Sequence, residues 1–342
     1  MTRSGTSIGT STGTSIGTST GTRIGLTFDT ESDEERVLTA HALEAIGDVL
    51  FLEANDSLPA QLQLQRPDIV LNLARGGDAP ARRVHVPSFL EYFDIPYIGS
   101  DAVTHATCVE RPRMKQALAY HGIRSAGFTV VDSLSQLAPF AHRTFPVAIR
   151  RARGVSSCFA LLLAHDFDEL ESIASELLSA STESILVEPF LAGESFACTI
   201  LGNGDDVVSL PIVRVANDDL VPPASRRHEC PARISDGLAE DIETIAIRAF
   251  FALNCRDVAR VDIRLDDRGV PNVCAVDPLP SFAPGSAGGV VLPASRAAGL
   301  DDDEMVQRCL LLAADRVGLD VPKAPVFSRL FRRTPPGGTR VR

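Results

Sequence analysis

No apolar run in this 342-residue sequence approaches the roughly 18 residues that a membrane span requires. The first residues, Met1-Thr2-Arg3-Ser4-Gly5, carry no apolar signal core, so secretion is not expected. The seven cysteines are scattered, none in CxxC spacing, and their number is odd. That excludes a disulfide framework and a cysteine zinc site, and leaves reduced thiols in the cytoplasm as the expectation. None of the seven histidines pairs with a nearby acid at metal-ligand spacing. GxSxG, the Walker A loop and the dinucleotide GxGxxG are all missing.

What is present is an ordinary globular composition, 44% hydrophobic and 23% charged, long enough for two or three domains. A net charge of −11 argues against a nucleic-acid surface. The charge is uneven: Lys323 to Arg342 holds six basic residues and no acid, so the remainder stands at −17. That tail reads as a flexible terminus; contact with an anionic surface is the alternative.

Residues 6–21 are a tandem octapeptide, Thr-Ser-Ile-Gly-Thr-Ser-Thr-Gly, repeated from Thr14. Such low complexity cannot bury a core, so residues 1–22 are expected to be a disordered leader. A βαβ series follows over 23–107. Ile24–Phe28, Val49–Leu52 and Asp68–Leu73 read as strands, and helices are expected after Glu31 (stripe Val37, Leu38, Ala42, Leu43, Ile46) and over Arg82–Phe93. This pattern implies a mostly parallel sheet. Over 108–201, strands at Gly127–Val131, Phe145–Arg150, Cys158–Leu163, Ile185–Glu188 and Phe196–Leu201 alternate with helices Arg113–His121 and Phe167–Leu178, an α+β pattern. A third block, 202–322, holds a helix at Ser235–Asn254, with Ser235 as cap, and a last helix opened by Asp301-Asp302-Asp303-Glu304. The basic tail, 323–342, closes the chain.

Within the third block, Ala259-Arg260-Val261-Asp262-Ile263-Arg264-Leu265 and Cys274-Ala275-Val276-Asp277-Pro278 flank the turn signal Asp266-Asp267-Arg268-Gly269. They read as a hairpin that brings Asp262 and Asp277 together beside Arg260. Two carboxylates and an arginine suit a nucleotide-bound magnesium ion and a transferring phosphoryl group.

The order of these segments resembles the D-alanine–D-alanine ligase-like branch of the ATP-grasp superfamily. Asp68–Leu73, Ile95–Asp101, Val187-Glu188-Pro189-Phe190-Leu191-Ala192-Gly193, Leu201–Gly204, His228–Ala232, Cys255–Asp262 and Asp277–Pro280 carry the likeness, which spans Ile24 to Leu319. It implies a three-domain ATP-grasp architecture, α/β and α+β, with a parallel-sheet N-terminal domain and nucleotide held between the second and third domains. The implied cofactors are ATP and Mg2+. The implied reaction phosphorylates a carboxylate and lets an amine displace the phosphate, so the substrate would be a small amino acid or peptide. The family often dimerises through its first domain, which leaves a homodimer open.

Carried across by this resemblance, Arg111 and Arg150 stand where the family has phosphate-binding lysines. Ser156 and Ser157, after Arg153-Gly154-Val155, stand in the loop over the phosphates. Glu188 and Leu191 match the adenine hinge, and the ribose carboxylate falls at Ser195, with Glu194 one residue earlier. Arg260 matches the arginine beside the acyl phosphate, and Asp262 and Asp277 match two of three metal ligands. The third is Ala275. Ser281 replaces a glycine whose N–H serves the oxyanion, and Ser286 matches the serine for the substrate carboxylate. Arg75 falls where an acid is usual, and Arg226 and Arg227 lie in the mobile loop. Two functions follow: an altered or weak ligase, or a degenerate nucleotide-binding or partner-binding protein.

Overall fold

The computed structural model describes residues 21–29, 33–77, 79–154, 161–216, 227–283 and 289–322. Residues 1–20 of the expected leader and the basic tail lie outside them, whereas Thr22 O accepts from Asp48 N at 2.9 Å.

The N-terminal unit is built on strand β1 (Arg23–Phe28), helix α1 (Asp33–Glu44), β2 (Asp48–Glu53), α2 (Leu58–Gln65) and β3 (Ile69–Asn72). The strands form a parallel sheet in the order β2-β1-β3. β1 is central and covered on both faces, which is why Ile-Gly-Leu-Thr reads as a continuous buried run rather than an alternation. A Cβ on Gly25 would lie 2.9 Å from both Leu52 and Val70, so only glycine admits these neighbours. Of the expected stripe, Leu38, Ala42, Leu43 and Ile46 meet the core, and Val37 does not. Val37 is 66% exposed, whereas Glu35, Thr39, Ala40, Ala42 and Leu43 are buried. The helix expected at Arg82–Phe93 is split into a 3-10 turn, Pro80–Val84, and α3 (His85–Tyr92).

Helix α4 (Ala102–Val109), capped by Asp101, leads into α5 (Arg111–Tyr120). Four antiparallel strands follow: β4 (Thr129–Val131), β5 (Val147–Arg151), β6 (Leu162–Ala164) and, after α6 (Phe167–Ala180), β7 (Ile185–Pro189). Their order is β4-β7-β5-β6. α6 buries Leu170 and Ala174 against Val147, Ile149, Ile185 and Val187.

The largest sheet begins with β8 (Ser195–Gly202) and adds β9 (Val208–Ser209), β10 (Val213–Val215) and β11 (His228–Glu229). After α7 (Asp236–Ala252) come β12 (Asp257–Leu265) and β13 (Pro271–Asp277), then α8 (Val291–Ala297) and α9 (Asp302–Val317). The order is β11-β10-β8-β12-β13, with β9 on β8. The hairpin turn forms as its residues dictate: Asp266 accepts from the N–H groups of Arg268 and Val270, and Gly269 takes φ +76°. α5 and α7 cover one face, where Phe196, Cys198, Ile200, Val261 and Ile263 pack with Ile242, Ala246 and Phe250. The other face meets α8, α9 and the N-terminal unit.

Candidate active site

The hairpin puts its charged residues on that second face. Arg260 stands opposite Asp277, and Asp262 opposite Ala275, across the β12–β13 ladder. Directly opposed residues share a face, so all four belong to one patch. On the other side of β12, Thr199 and Ala197 stand opposite Arg260 and Asp262.

The carboxylates are held by arginines. Arg260 donates from Nε to Asp262 Oδ1 at 2.8 Å and from Nη2 to Oδ2 at 3.2 Å. Its Nη2 lies 3.7 Å from Asp277 Oδ2. Arg83, in the 3-10 turn, donates from Nη1 to Asp277 Oδ1 at 2.7 Å, and the same oxygen accepts from Leu279 N at 3.0 Å. Arg83, Arg260, Asp262 and Asp277 are all buried. Burial pushes the Asp277 carboxyl up, but Arg83 and Arg260 more than reverse it, leaving it below its ordinary 3.8.

A second ionic cluster stands beside the first. Arg75 grips Glu35 with Nη1 and Nη2 at 2.6 and 2.8 Å, and Glu35 Oε1 also accepts from Phe282 N at 2.6 Å. Glu35 is 2% exposed. The arginine found where an acid is usual is therefore bound to a carboxylate of its own domain. Together they clasp the segment after β13.

A second wall is formed by the four-stranded sheet. Arg150 on β5 and Glu188 on β7 are diagonal neighbours, since Ala148 stands opposite Glu188. Arg150 donates to Glu188 Oε2 from Nε at 2.9 Å and from Nη2 at 2.5 Å. Lys115 Nζ lies 2.5 Å from Glu188 Oε1 and donates to Ala126 O at 2.9 Å. Arg111, at the start of α5, donates to Arg151 O at 2.7 Å. Gly154, at φ +141°, lets the chain pass this guanidinium; a Cβ there would sit 3.0 Å from Arg111 Nη1. Burial first, and then Arg150, lower the Arg111 pKa to about 9, against the opposing pull of Glu188 and Glu183.

Between the walls, Arg150, Glu188, Phe190, Leu191, Arg264 and Cys274 line a narrow cavity of about 20 Å³, with room for about one water. The Arg264 guanidinium lies 4.5 Å from the centre of the Phe190 ring. Ser195 stands opposite Arg264 in register and is fully buried, its Oγ without a hydrogen-bond partner among the described residues. Glu194 is turned outward toward Arg214 at 3.3 Å, so the register does not bring it in place of Ser195. Ser281 accepts from Ala283 N at 3.0 Å, in the segment clasped by Glu35. Ser156, Ser157, Ser286 and Arg226 lie outside the described residues; Arg227 is exposed.

The structure thus brings together Arg111, Arg150, Glu188 and Leu191 on one wall and Arg260, Asp262, Asp277 and Ser281 on the other. Sequence reasoning missed Lys115, Arg83, Glu35 and Arg264. Lys115 lies one helical turn after Arg111, a spacing that could have revealed it. Arg83 carried no local signal, because its partner is 194 positions away.

These walls and sheets define an ATP-grasp protein of the D-alanine–D-alanine ligase-like kind. A model of the family described as D-ala D-ala ligase C-terminus matches residues 116–311, more than half of the chain, and the chain belongs to that family. It is 27% identical over 292 residues to the D-alanine–D-alanine ligase of Moorella thermoacetica, covering 81% of this chain and 92% of that protein. It is 28% identical over 230 residues to the uncharacterized protein y4sG of Sinorhizobium fredii, covering 64% and 67%. Among solved structures, the D-alanine–D-alanine ligase of Bacillus anthracis complexed with ATP superposes with a TM-score of 0.69 at 21% identity, covering 86% of this chain and 98% of that one. Among the described residues, no helix is long and apolar enough to cross a membrane.

Proposed function

We propose that this chain is an altered ATP-dependent carboxylate–amine ligase that binds ATP between the central sheet and the β8–β12–β13 face. The observation that carries the reading is the placement of Arg111 and Arg150 on one wall and Arg260 on the other, each buried and aimed by a fixed partner. Cations held in that way favour a polyphosphate and the charge that develops as its terminal phosphoryl group leaves. The base would lie against Glu188, Leu191 and Phe190.

In the proposed reaction an oxygen of the substrate carboxylate attacks the γ-phosphorus, and the bond to the β–γ bridging oxygen breaks to release ADP. The amine nitrogen of a second substrate then attacks the acyl carbon, the carbon–oxygen bond to phosphate breaks, and the nitrogen loses a proton as the amide forms. Arg260 would neutralise the acyl phosphate. The substrates would be a small amino acid or peptide and an amine of the same class. Among the described residues no cysteine is joined in a disulfide, which supports a reducing cytoplasmic setting, where ATP is available.

Magnesium, which the family implies, does not fit the residues present. Asp262 is engaged by Arg260 and Asp277 by Arg83, the third position is the methyl group of Ala275, and no group of three metal-ligating side chains occurs among the described residues. The same misfit favours a second reading, a nucleotide-binding protein without turnover.

The test is incubation of the full chain with ATP, magnesium and D-alanine, read by phosphate and dipeptide release, alongside calorimetric titration with ATP. Turnover supports the ligase. Saturable ATP binding without turnover for D-alanine or a panel of amino acids supports the second reading. Absence of binding rejects both.

A further inference from the structure

We infer that Arg83 supplies, as a fixed guanidinium from the N-terminal unit, the positive charge that a divalent cation would bring to Asp277. The inference rests on the proposed site only for where that cation would lie.

Three observations converge. Arg83 reaches Asp277 at 2.7 Å with both side chains buried, so the contact is a desolvated ion pair rather than a surface one. The position that should add a third carboxylate is Ala275, directly opposite Asp262. The charges then balance without a metal: Asp262 and Asp277 are met by Arg260 and Arg83. A dication added to that set would have two carboxylates and two guanidiniums as its neighbours, and each repulsion would be strengthened by burial.

The surroundings keep Arg83 in place. The 3-10 turn that carries it is opened by Pro80 and packs on α4. His105 of α4 lies in the same field; burial and then the Arg83 guanidinium lower its pKa to about 4, so it stays neutral and adds no competing cation. Beside it, Arg75 is occupied by Glu35. Among the described residues, the groups bonded to or paired with Asp277 are Arg83, Arg260 and the N–H of Leu279. A guanidinium is planar, permanently charged and more weakly hydrated than an ammonium, which suits it to a buried carboxylate. It differs from a metal in one respect that matters here: it cannot be removed by chelation.

The test uses the nucleotide-free full chain with Mn2+ as probe, read by the electron paramagnetic resonance signal of free Mn2+. The wild type is expected to leave that signal unchanged and to melt at the same temperature in magnesium and in chelator. A variant carrying Arg83→Met and Ala275→Glu, which removes the guanidinium and restores the carboxylate, is expected to retain about one Mn2+ per chain. Retention of Mn2+ by the wild type, lost on Asp277→Asn, overturns the inference, as does a folded double variant that retains none. If the double variant does not fold, single substitutions decide. Arg83→Met and Asp277→Asn should each lower the melting temperature, and combining them should lower it by less than the sum. Additive losses would overturn the pairing. Because no nucleotide is present, failure of ATP binding leaves this readout intact and rejects only the functional reading.

Discussion

Asp262 faces Ala275 across the β12–β13 ladder, a buried carboxylate opposite a methyl group, with Arg260 beside it. Ala275→Glu alone would set a second carboxylate in a dry patch already balanced in charge. It should cost about 1–3 kcal/mol of stability, measured by denaturant unfolding. The new carboxyl, next to Asp262, should have a raised pKa, so the loss should shrink as pH falls below that value. Unchanged stability at neutral pH would mean that residue 275 points elsewhere.

Lys115, Glu188 and Arg150 form a buried triad in which one carboxylate serves two cations. Removing the carboxylate with Glu188→Gln leaves both cations uncompensated and should destabilise the chain by about 3–5 kcal/mol. Lys115→Met removes one cation and leaves Glu188 paired with Arg150, so its cost should be smaller. A reversed order in the two melting curves would contradict the triad.

The same carboxylate sets an acid dependence. Burial pushes Glu188 up, but Arg150 and Lys115 outweigh it and hold the folded pKa below its ordinary 4.5. A depressed carboxylate contributes stability that is present above the unfolded pKa and lost as pH falls through the folded one. Unfolding free energy should therefore decline from about pH 5 downward, and Glu188→Gln should flatten that decline. A decline of equal slope in the variant would assign acid sensitivity to other carboxylates.

Arg111 should be needed for nucleotide affinity more than for folding. Its guanidinium is buried at the start of α5, donates to Arg151 O and stands on the same wall as Arg150. Arg111→Ala should weaken ATP binding by about tenfold or more, roughly 1.4 kcal/mol, with a smaller loss in unfolding free energy. Inorganic phosphate should raise the melting temperature of the wild type and not of the variant.

Asp257 makes a separate structural knot. Fully buried and at φ +59°, it accepts from Gly99 N and Asn203 Nδ2, each at 2.7 Å, and from Arg316 Nη2 at 2.8 Å. It ties the N-terminal unit, the β8 end and α9 to one carboxylate. Asp257→Ala should cost about 3–5 kcal/mol in denaturant unfolding, because Arg316 would lose its carboxylate and Gly99 N and Asn203 their acceptor.

Much of this was legible in the chain itself. Strands such as Ile24–Phe28 and the 259–277 hairpin announced themselves through apolar runs and turn residues, and Ser235 and Asp301 marked the starts of their helices. Local chemistry decides those features. Helix α4 was not seen, because Ala-Val-Thr-His-Ala-Thr-Cys-Val mixes β-branched residues with no clear stripe. The α1 stripe was legible except at its start, where Glu35, held by Arg75 and Phe282, is buried and Val37 is exposed. Of the candidate site, the hairpin signal drew Asp262, Asp277 and Arg260 together, and the family resemblance marked Ala275 as a gap. Arg83 was not, since an ion pair spanning 194 positions leaves no pattern in either segment.

We propose a nucleotide cleft whose cationic charge comes from arginines and a lysine rather than from a metal. Calorimetric titration of the wild-type chain with ATP, once in magnesium and once in chelator, tests it most directly. The account predicts saturable binding in both, with affinities within about threefold of each other. Binding that appears only when magnesium is present, or no binding in either condition, would contradict it.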